Sequence, residues 1–317
     1  MAIKILGTGA YVPGKVVTND DLAKMVDTSD EWIMQRVGVK TRHVSETETA
    51  ADFAVKASIE AIADAGLEAK DIDLIVVATI SSDTLCPTVA GWVQKGIGAT
   101  CPGFDVSSAC SGFLFALDVA VSYIMRGGYE NILVVGAERL SKLVDWEDRS
   151  TCVIFGDGAG AMVITKGDGY KASKLYTKGG NDVIDIPSFA GKSPFYKGEV
   201  KKPYIFMDGQ ETFKFAVGKI VNDIKYVVKE AGYELSDIDH IVTHQANIRI
   251  IEYASKRLGV PIDKFVINIE RFGNTSSASV PMAFNELNKS GKLERGDKVV
   301  MSAFGGGLSS AACLIEF

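Results

Sequence analysis

Hydrophobic and polar positions along the chain switch between two periods. Residues 51–65 carry apolar side chains at helical spacing and stop at Gly66, which predicts a helix. Residues 71–78 and 131–136 are short, dense apolar runs, the pattern of buried strands, and 298–302 read the same way. The opening, MAIKILGTGAYVPG, reads as a first strand and a turn. Residues 111–125 are apolar almost all round, with Asp118 the charged exception, which predicts a helix buried on every side. Gly127 and Gly128 end it, with Arg126 in its last turn. Strand-like and helix-like segments alternate with no Pro-rich linker between them, so the fold class is α/β.

The pattern also repeats itself. Residues 65–76 resemble 231–242 at an offset of 166, residues 104–110 resemble 268–274 at 164, and residues 128–134 resemble 296–301 at 168. Three matches in one order predict two similar halves, 1–166 and 167–317, each the size of a small domain. Residues 167–202 have no partner at this offset and read as a connection. On this alignment Cys110 and Asn274 occupy equivalent strand-to-helix turns facing the seam between the halves, where ligand sites form.

Composition narrows the functions. With 34 basic and 40 acidic residues among 317 the net charge is −6, and no Lys/Arg run is long enough to follow a phosphate backbone, which argues against nucleic-acid binding. The N-terminus lacks the basic and apolar regions of a signal peptide, and residues 109–125 contain Asp118 and fall short of a membrane span. The five cysteines are odd in number and lack C-x-x-C spacing, so the expectation is a cytoplasmic protein with structural or reactive thiols.

Among these thiols, Cys110 stands apart. It precedes the apolar helix and has small neighbours, Ser107, Ser108, Ala109, Ser111 and Gly112. Free backbone N–H groups and the dipole at such a position favour a thiolate and can hold an oxyanion. Packing is the alternative for any cysteine, and it is the reading adopted for Cys86, Cys152 and Cys313. Of three histidines, His43 lies in a polar segment and reads as surface, and His240 lies inside a strand. His244 ends that strand just before a helix starting near Asn247, and strand ends are where catalytic side chains collect. The His240–His244 spacing falls on a strand and lacks the pattern of a zinc pair. Asn274 is either a helix cap or an amide donor facing Cys110. Gly305, Gly306 and Gly307 form either a tight turn or a backbone approach to a ligand.

Taken together, Asp27-Thr-Ser-Asp-Glu-Trp32, Ser-Ser-Ala-Cys110-Ser-Gly-Phe, Gly156-Asp-Gly-Ala-Gly160, His244-Gln-Ala-Asn-x-Arg249, Phe272-Gly-Asn274-Thr-Ser and Phe304-Gly-Gly-Gly resemble the β-ketoacyl-acyl carrier protein synthase III family along essentially the whole chain. The resemblance implies a thiolase-like fold: duplicated βαβαβαββ halves in a five-layered αβαβα arrangement, usually a homodimer. The N-terminal half then carries the nucleophilic Cys110, and the C-terminal half carries His244 and Asn274. It further implies decarboxylative condensation of an acyl-CoA primer with malonyl-acyl carrier protein. In that reaction Cys110 takes the acyl group, His244 and Asn274 stabilise the enolate, Gly306 helps hold an oxyanion, and Phe304 helps shed the carboxylate. Coenzyme A is then part of a substrate and no cofactor or metal is called for.

For the coenzyme, Thr28-Ser-Asp-Glu31 predicts a capping box, placing Trp32 and Arg36 one turn apart on a helix. Ordinary packing is the alternative for Trp32. The resemblance implies that Trp32 and Arg149 sandwich the CoA adenine and Arg36 meets phosphate, with Thr28, Phe213 and Asn247 along the pantetheine tunnel. Arg249, with Lys214 and Lys256, would form a basic patch for the acidic carrier. Cys86 falls where the family's primer pocket is gated. Gly7-Thr-Gly9 and Gly156–Gly160 are incomplete dinucleotide fingerprints and imply no nicotinamide or flavin site. Three other readings are a thiolase-fold ketosynthase with another acyl donor, a Cys-His-Asn acyl hydrolase, and a non-catalytic acyl-binding subunit.

Overall fold

A computed structural model describes residues 2–187 and 194–317. Two five-stranded sheets form its centre. The first runs in the order Ala2–Tyr11, Gly158–Gly167, Asn131–Glu138, Leu74–Ala78, Gly103–Val106. The second runs Tyr170–Thr177, Ser309–Glu316, Lys298–Gly305, His240–Thr243, Phe265–Val266. Strand for strand the directions agree: the first two pairings of each sheet are antiparallel and the last two parallel.

Alternation along the strands makes the layers. Ile132 and Val134 face the centre of the molecule with Val299 and Met301, while Leu133 and Val135 face the outside of the first sheet. Helices Gly112–Arg126 and Ser279–Lys289 fill the central layer between the sheets through Phe113, Leu117, Val280 and Phe284. Ala50–Asp64 and Val89–Ile97 cover the first sheet, and Gly209–Glu230 and Ile248–Leu258 cover the second. The result is the five-layered αβαβα arrangement of the thiolase-like fold.

Several boundaries shift from the expected ones. The strand expected from residue 71 begins at Leu74, because Ala69–Asp71 is a 3-10 turn and the Asp73 carboxylate accepts from the Glu130 and Asn131 amides. The helix expected over 51–65 is Ala50–Asp64, with Thr49 and Asp52 closing a capping box. The stretch expected to be a bare connection contains the edge strand Tyr170–Thr177, counterpart of Ala2–Tyr11, and residues 188–193 within it lie outside the described part.

The apolar helix is buried between the sheets but not to its end: Met125 is 65% exposed. With the turn before it, Ala109–Arg126 is long and apolar enough, by length and composition, to cross a membrane, and half of it is buried in this fold. His43, expected on the surface, is half-buried and donates from Nδ1 to the Pro13 carbonyl at 2.7 Å. Gly7 and Gly9 are glycines for packing: against the backbone of helix Ala50–Asp64, a Cβ at Gly7 would lie 2.5 Å from the Ala61 carbonyl oxygen and one at Gly9 2.3 Å from that of Ala57.

Candidate active site

The chain leaves strand Gly103–Val106, passes through Ser107 and Ser108, and turns sharply at Ala109, whose φ of +45° is left-handed. Cys110 sits in the 3-10 turn Ala109–Ser111 that opens into the central helix. Ser111 locks the turn, donating to the Ser108 carbonyl (2.9 Å) and lying 2.8 Å from the Ser309 hydroxyl, which in turn donates to the Gly306 carbonyl at 2.8 Å. The nucleophile turn and the glycine turn are thus one hydrogen-bonded unit. Gly305 is the glycine that abuts the nucleophile, since a Cβ there would lie 2.7 Å from the Cys110 nitrogen. Gly306 packs instead toward Ile184 and the Ala109 side chain.

The second half supplies the facing groups. His244 follows strand His240–Thr243, and its amide donates to the Ser302 carbonyl at 2.8 Å. Its ring is buried, meets Phe304 edge-on with centroids 5.2 Å apart, and places Nδ1 2.6 Å from the Ser279 hydroxyl. Asn274 is held by its backbone between Ile154 (2.9 Å) and Gly156 (3.0 Å). Its Oδ1 accepts the Ser276 amide at 2.8 Å, leaving the NH₂ as the carboxamide's uncommitted group. A cavity of about 210 Å³ is lined by Cys110, His244, Asn274, Phe304, Gly305 and Gly306, and its walls include Ile80, Ile154, Ile205, Met207, Thr212, Phe213 and Asn247.

Charge in the site differs from the expectation at one point. Burial pushes the Cys110 thiol up to about 12, and the nearby Glu138 carboxylate acts in the same direction. The Ser276 hydroxyl and the backbone N–H pull against this without overcoming it. Burial thus works against the thiolate that the helix terminus alone favours. His244 is neutral, its pKa driven down to about 3 by burial.

The structure adds residues that sequence reasoning missed. Ser276 has a left-handed φ of +49° and stands 167 positions after Ala109, while the turn Ser276–Ala278 stands 167 after Ala109–Ser111. The counterpart of Cys110 is therefore Ser277, and the equivalence with Asn274 was three residues out of register. Glu138, the last residue of its strand, is fully buried. It accepts from the hydroxyls of Ser81, Thr79 (3.3 Å), Ser276 (3.3 Å) and Ser277 (2.7 Å) and from the Ile80 amide (3.2 Å), tying loop 79–81 to the Asn274–Ser277 turn. Burial raises its pKa. A charged residue closing an otherwise apolar strand was the available signal.

Of the remaining candidates, Phe213 and Asn247 line the cavity and the others lie outside its lining. Trp32 and Arg36 share helix Asp30–Arg36, but Ser29 caps it, accepting from the Trp32 amide, so the expected box at Thr28 is displaced by one residue. The buried Thr28 hydroxyl has no hydrogen-bond partner. The Arg149 guanidinium sits 5.1 Å from the Trp32 ring centroid and donates to the Asp27 carbonyl at 2.6 Å. Asn247 caps helix Ile248–Leu258 and donates to the Arg36 carbonyl at 3.0 Å, joining this region to the cavity. Arg249 lies 5.7 Å from the Phe213 ring centroid. Lys256 is exposed two turns along the same helix, and Lys214 pairs with Glu211 at 2.7 Å. Cys86, read above as a packing thiol and a primer-pocket residue, is exposed and does not line the cavity of this chain, and its neighbour Leu85 is 100% exposed. Cys152 and Cys313 are buried. Among the described residues no cluster of three His, Cys, Asp or Glu side chains could hold a metal.

Comparison with known proteins agrees along the whole length. Residues 104–179 match the family model for 3-oxoacyl-[acyl-carrier-protein (ACP)] synthase III, and 228–317 match its C-terminal model. The β-ketoacyl-[acyl-carrier-protein] synthase III of Clostridium acetobutylicum is 48% identical over 322 positions, covering 100% of this chain and 99% of that protein. The protein of the same name from Neisseria gonorrhoeae is 46% identical over 321 positions, with 99% of each covered. The crystal structure of 3-oxoacyl-[acyl-carrier-protein] synthase III from Aquifex aeolicus superimposes with a TM-score of 0.93 at 42% identity, covering 99% of this chain and 100% of that one.

Proposed function

The chain belongs to the β-ketoacyl-[acyl-carrier-protein] synthase III family, and from that premise we propose how its own residues carry the reaction. It is a condensing acyltransferase of the thiolase superfamily, and it performs the initiating condensation of fatty-acid synthesis. Its substrates are an acyl-CoA and malonyl-acyl carrier protein. The halves 1–166 and 167–317 act as two functional units, the first bringing the sulfur and the second the donors.

In the first step the Cys110 sulfur attacks the acyl-CoA carbonyl. A bond forms between sulfur and the acyl carbon, the bond from that carbon to the CoA sulfur breaks, and the departing CoA takes up the thiol proton. With burial favouring the neutral thiol, negative charge appears only as the bond forms, where the turn amides of Cys110 and the glycine turn at Gly306 meet it. In the second step the malonyl thioester loses CO₂, and the electron pair passes to the thioester oxygen as an enolate. Donors from His244 and Asn274 hold that oxygen. Phe304, edge-on to His244, keeps the carboxylate in an apolar setting that favours its loss as neutral CO₂. The enolate carbon then attacks the Cys110 thioester: a carbon–carbon bond forms, the bond from the acyl carbon to the Cys110 sulfur breaks, the 3-ketoacyl carrier is released, and the departing sulfur takes up a proton from solvent to return to the thiol.

Trp32, Arg36 and Arg149 take the CoA nucleotide, while Thr28, Phe213 and Asn247 line the pantetheine path. Arg249 and Lys256 receive the carrier protein, with Lys214 a weaker member because Glu211 occupies it. A homodimer working in the cytoplasm belongs to the same reading. The observation that carries the proposal is one cavity lined by Cys110, His244, Asn274 and Phe304. The test is incubation with acetyl-CoA, isobutyryl-CoA and malonyl carrier, following CO₂ and keto product together. Release of free acid with no need for carrier would instead identify an acyl hydrolase.

A further inference from the structure

Neutral His244 has one N–H and one lone pair. To donate to the enolate oxygen it must carry its hydrogen on Nε2, and which nitrogen is protonated depends on what Nδ1 meets. Nδ1 meets the Ser279 hydroxyl at 2.6 Å. Ser279 opens helix Ser279–Lys289 and is buried.

Its oxygen has three neighbours and a single hydrogen. The Gln245 amide, 3.4 Å away, can only donate to it. The Ser276 carbonyl, 2.9 Å away, can only accept, and it already receives the Ser279 backbone N–H. The hydroxyl hydrogen can therefore turn to Nδ1, the nearest of the three, without leaving any of these groups unpaired. In the opposite arrangement Nδ1–H donates to Ser279, whose own hydrogen goes to the Ser276 carbonyl, and a bare Nε2 is left with nothing to give an enolate; the need for an enolate donor is what separates the two.

We propose that Ser279 is a positioning residue that donates its hydroxyl to His244 Nδ1 and so holds the Nε2–H tautomer used in the malonyl half of the reaction. The proposal rests on the reading of His244 given above. It accounts for a serine in the run Asn274-Thr-Ser-Ser-Ala-Ser279 that does not itself line the cavity but bonds to His244, which does. Ser276, itself left-handed at φ +49°, presents its carbonyl to the same hydroxyl at 2.9 Å.

The test has a spectroscopic and a kinetic arm. Three histidines give three pairs of ring ¹⁵N signals, and H244Q identifies the pair of interest. The expected wild-type spectrum has Nδ1 bare and Nε2 protonated, and S279A shifts it toward the other tautomer or a mixture. Condensation by S279A falls on the order of 10- to 100-fold, while acyl-enzyme formation from acyl-CoA stays within about twofold. S279T, which returns the hydroxyl, recovers condensation. If S279A folds poorly, S279V, which has no donor, is the second variant for the same measurements. A wild-type spectrum with Nδ1 protonated, or full condensation by folded S279A or S279V, would overturn the proposal. Undiminished condensation by H244Q would instead remove the functional reading beneath it, whatever the tautomer.

Discussion

Gly305 and Cys110 touch backbone to backbone: a single Cβ on the glycine would sit 2.7 Å from the Cys110 nitrogen and 3.1 Å from its Cβ. The end of a strand from one half thereby sets the position of the sulfur in the other. Gly305→Ala has no flexible side-chain tip to push aside, so the nucleophile turn must move. Condensation is expected to fall by roughly 100-fold, the scale of a displacement of about 1 Å at a reacting atom. Steady-state kinetics and a melting curve check this, the latter to show that the fold persists.

The protonation of Cys110 gives a second test. A thiol pushed up to about 12 is nearly all protonated at neutral pH. The rate of iodoacetamide alkylation of the free enzyme should climb about tenfold per pH unit between pH 7 and 9. A plateau beginning near pH 7 would show a preformed thiolate and a helix terminus that outweighs burial.

The Arg149 guanidinium lies 5.1 Å from the Trp32 ring centroid, less than the about 7 Å, twice a van der Waals contact, that an intervening base needs. The proposed adenine sandwich therefore requires the two side chains to part. Trp32→Ala should raise the KM for acyl-CoA about tenfold, equivalent to roughly 1.4 kcal/mol, within the range of aromatic and cation–π contacts. The KM for malonyl carrier should stay unchanged. Calorimetry with CoA provides an independent reading.

Arg249 is exposed at the first turn of the helix that Asn247 caps. If the proposed carrier patch holds, Arg249→Glu reverses its charge and should weaken use of malonyl carrier by about tenfold or more at low salt, with the loss shrinking as salt rises. Use of acyl-CoA should change far less. Equal losses for both substrates would remove the carrier patch.

How far the sequence could be read depended on the kind of signal. The apolar helix after Cys110 and the dense strands at 74–78 and 131–138 were visible because burial on both faces leaves an unbroken run of apolar letters. The edge strand Tyr170–Thr177 was hidden because it is half-exposed and lacks the dense apolar run of its counterpart Ala2–Tyr11. The duplication was legible, but its register at the site was not: residues 268–274 align with 104–110 by letters, whereas the two turns align Cys110 with Ser277. Glu138 and Ser279 were invisible as functional residues because each acts through groups distant in sequence, Glu138 through serines 57 and 139 positions away and Ser279 through His244. Only one of the two opposing influences on Cys110 could be read: a helix terminus shows in the letters, while the burial that raises the thiol does not.

The central claim is a division of labour between one sulfur and two donors, and labelled acyl-CoA tests it most directly. Wild type, C110A, H244A and N274A are each incubated with labelled acetyl-CoA, with and without malonyl carrier. Peptide mapping locates the label, and CO₂ and keto product are followed. The expected result is label on Cys110 in the wild type, H244A and N274A, none in C110A, and little CO₂ or product from either donor variant. Label on another residue, or normal CO₂ release and product from H244A and N274A, would contradict it.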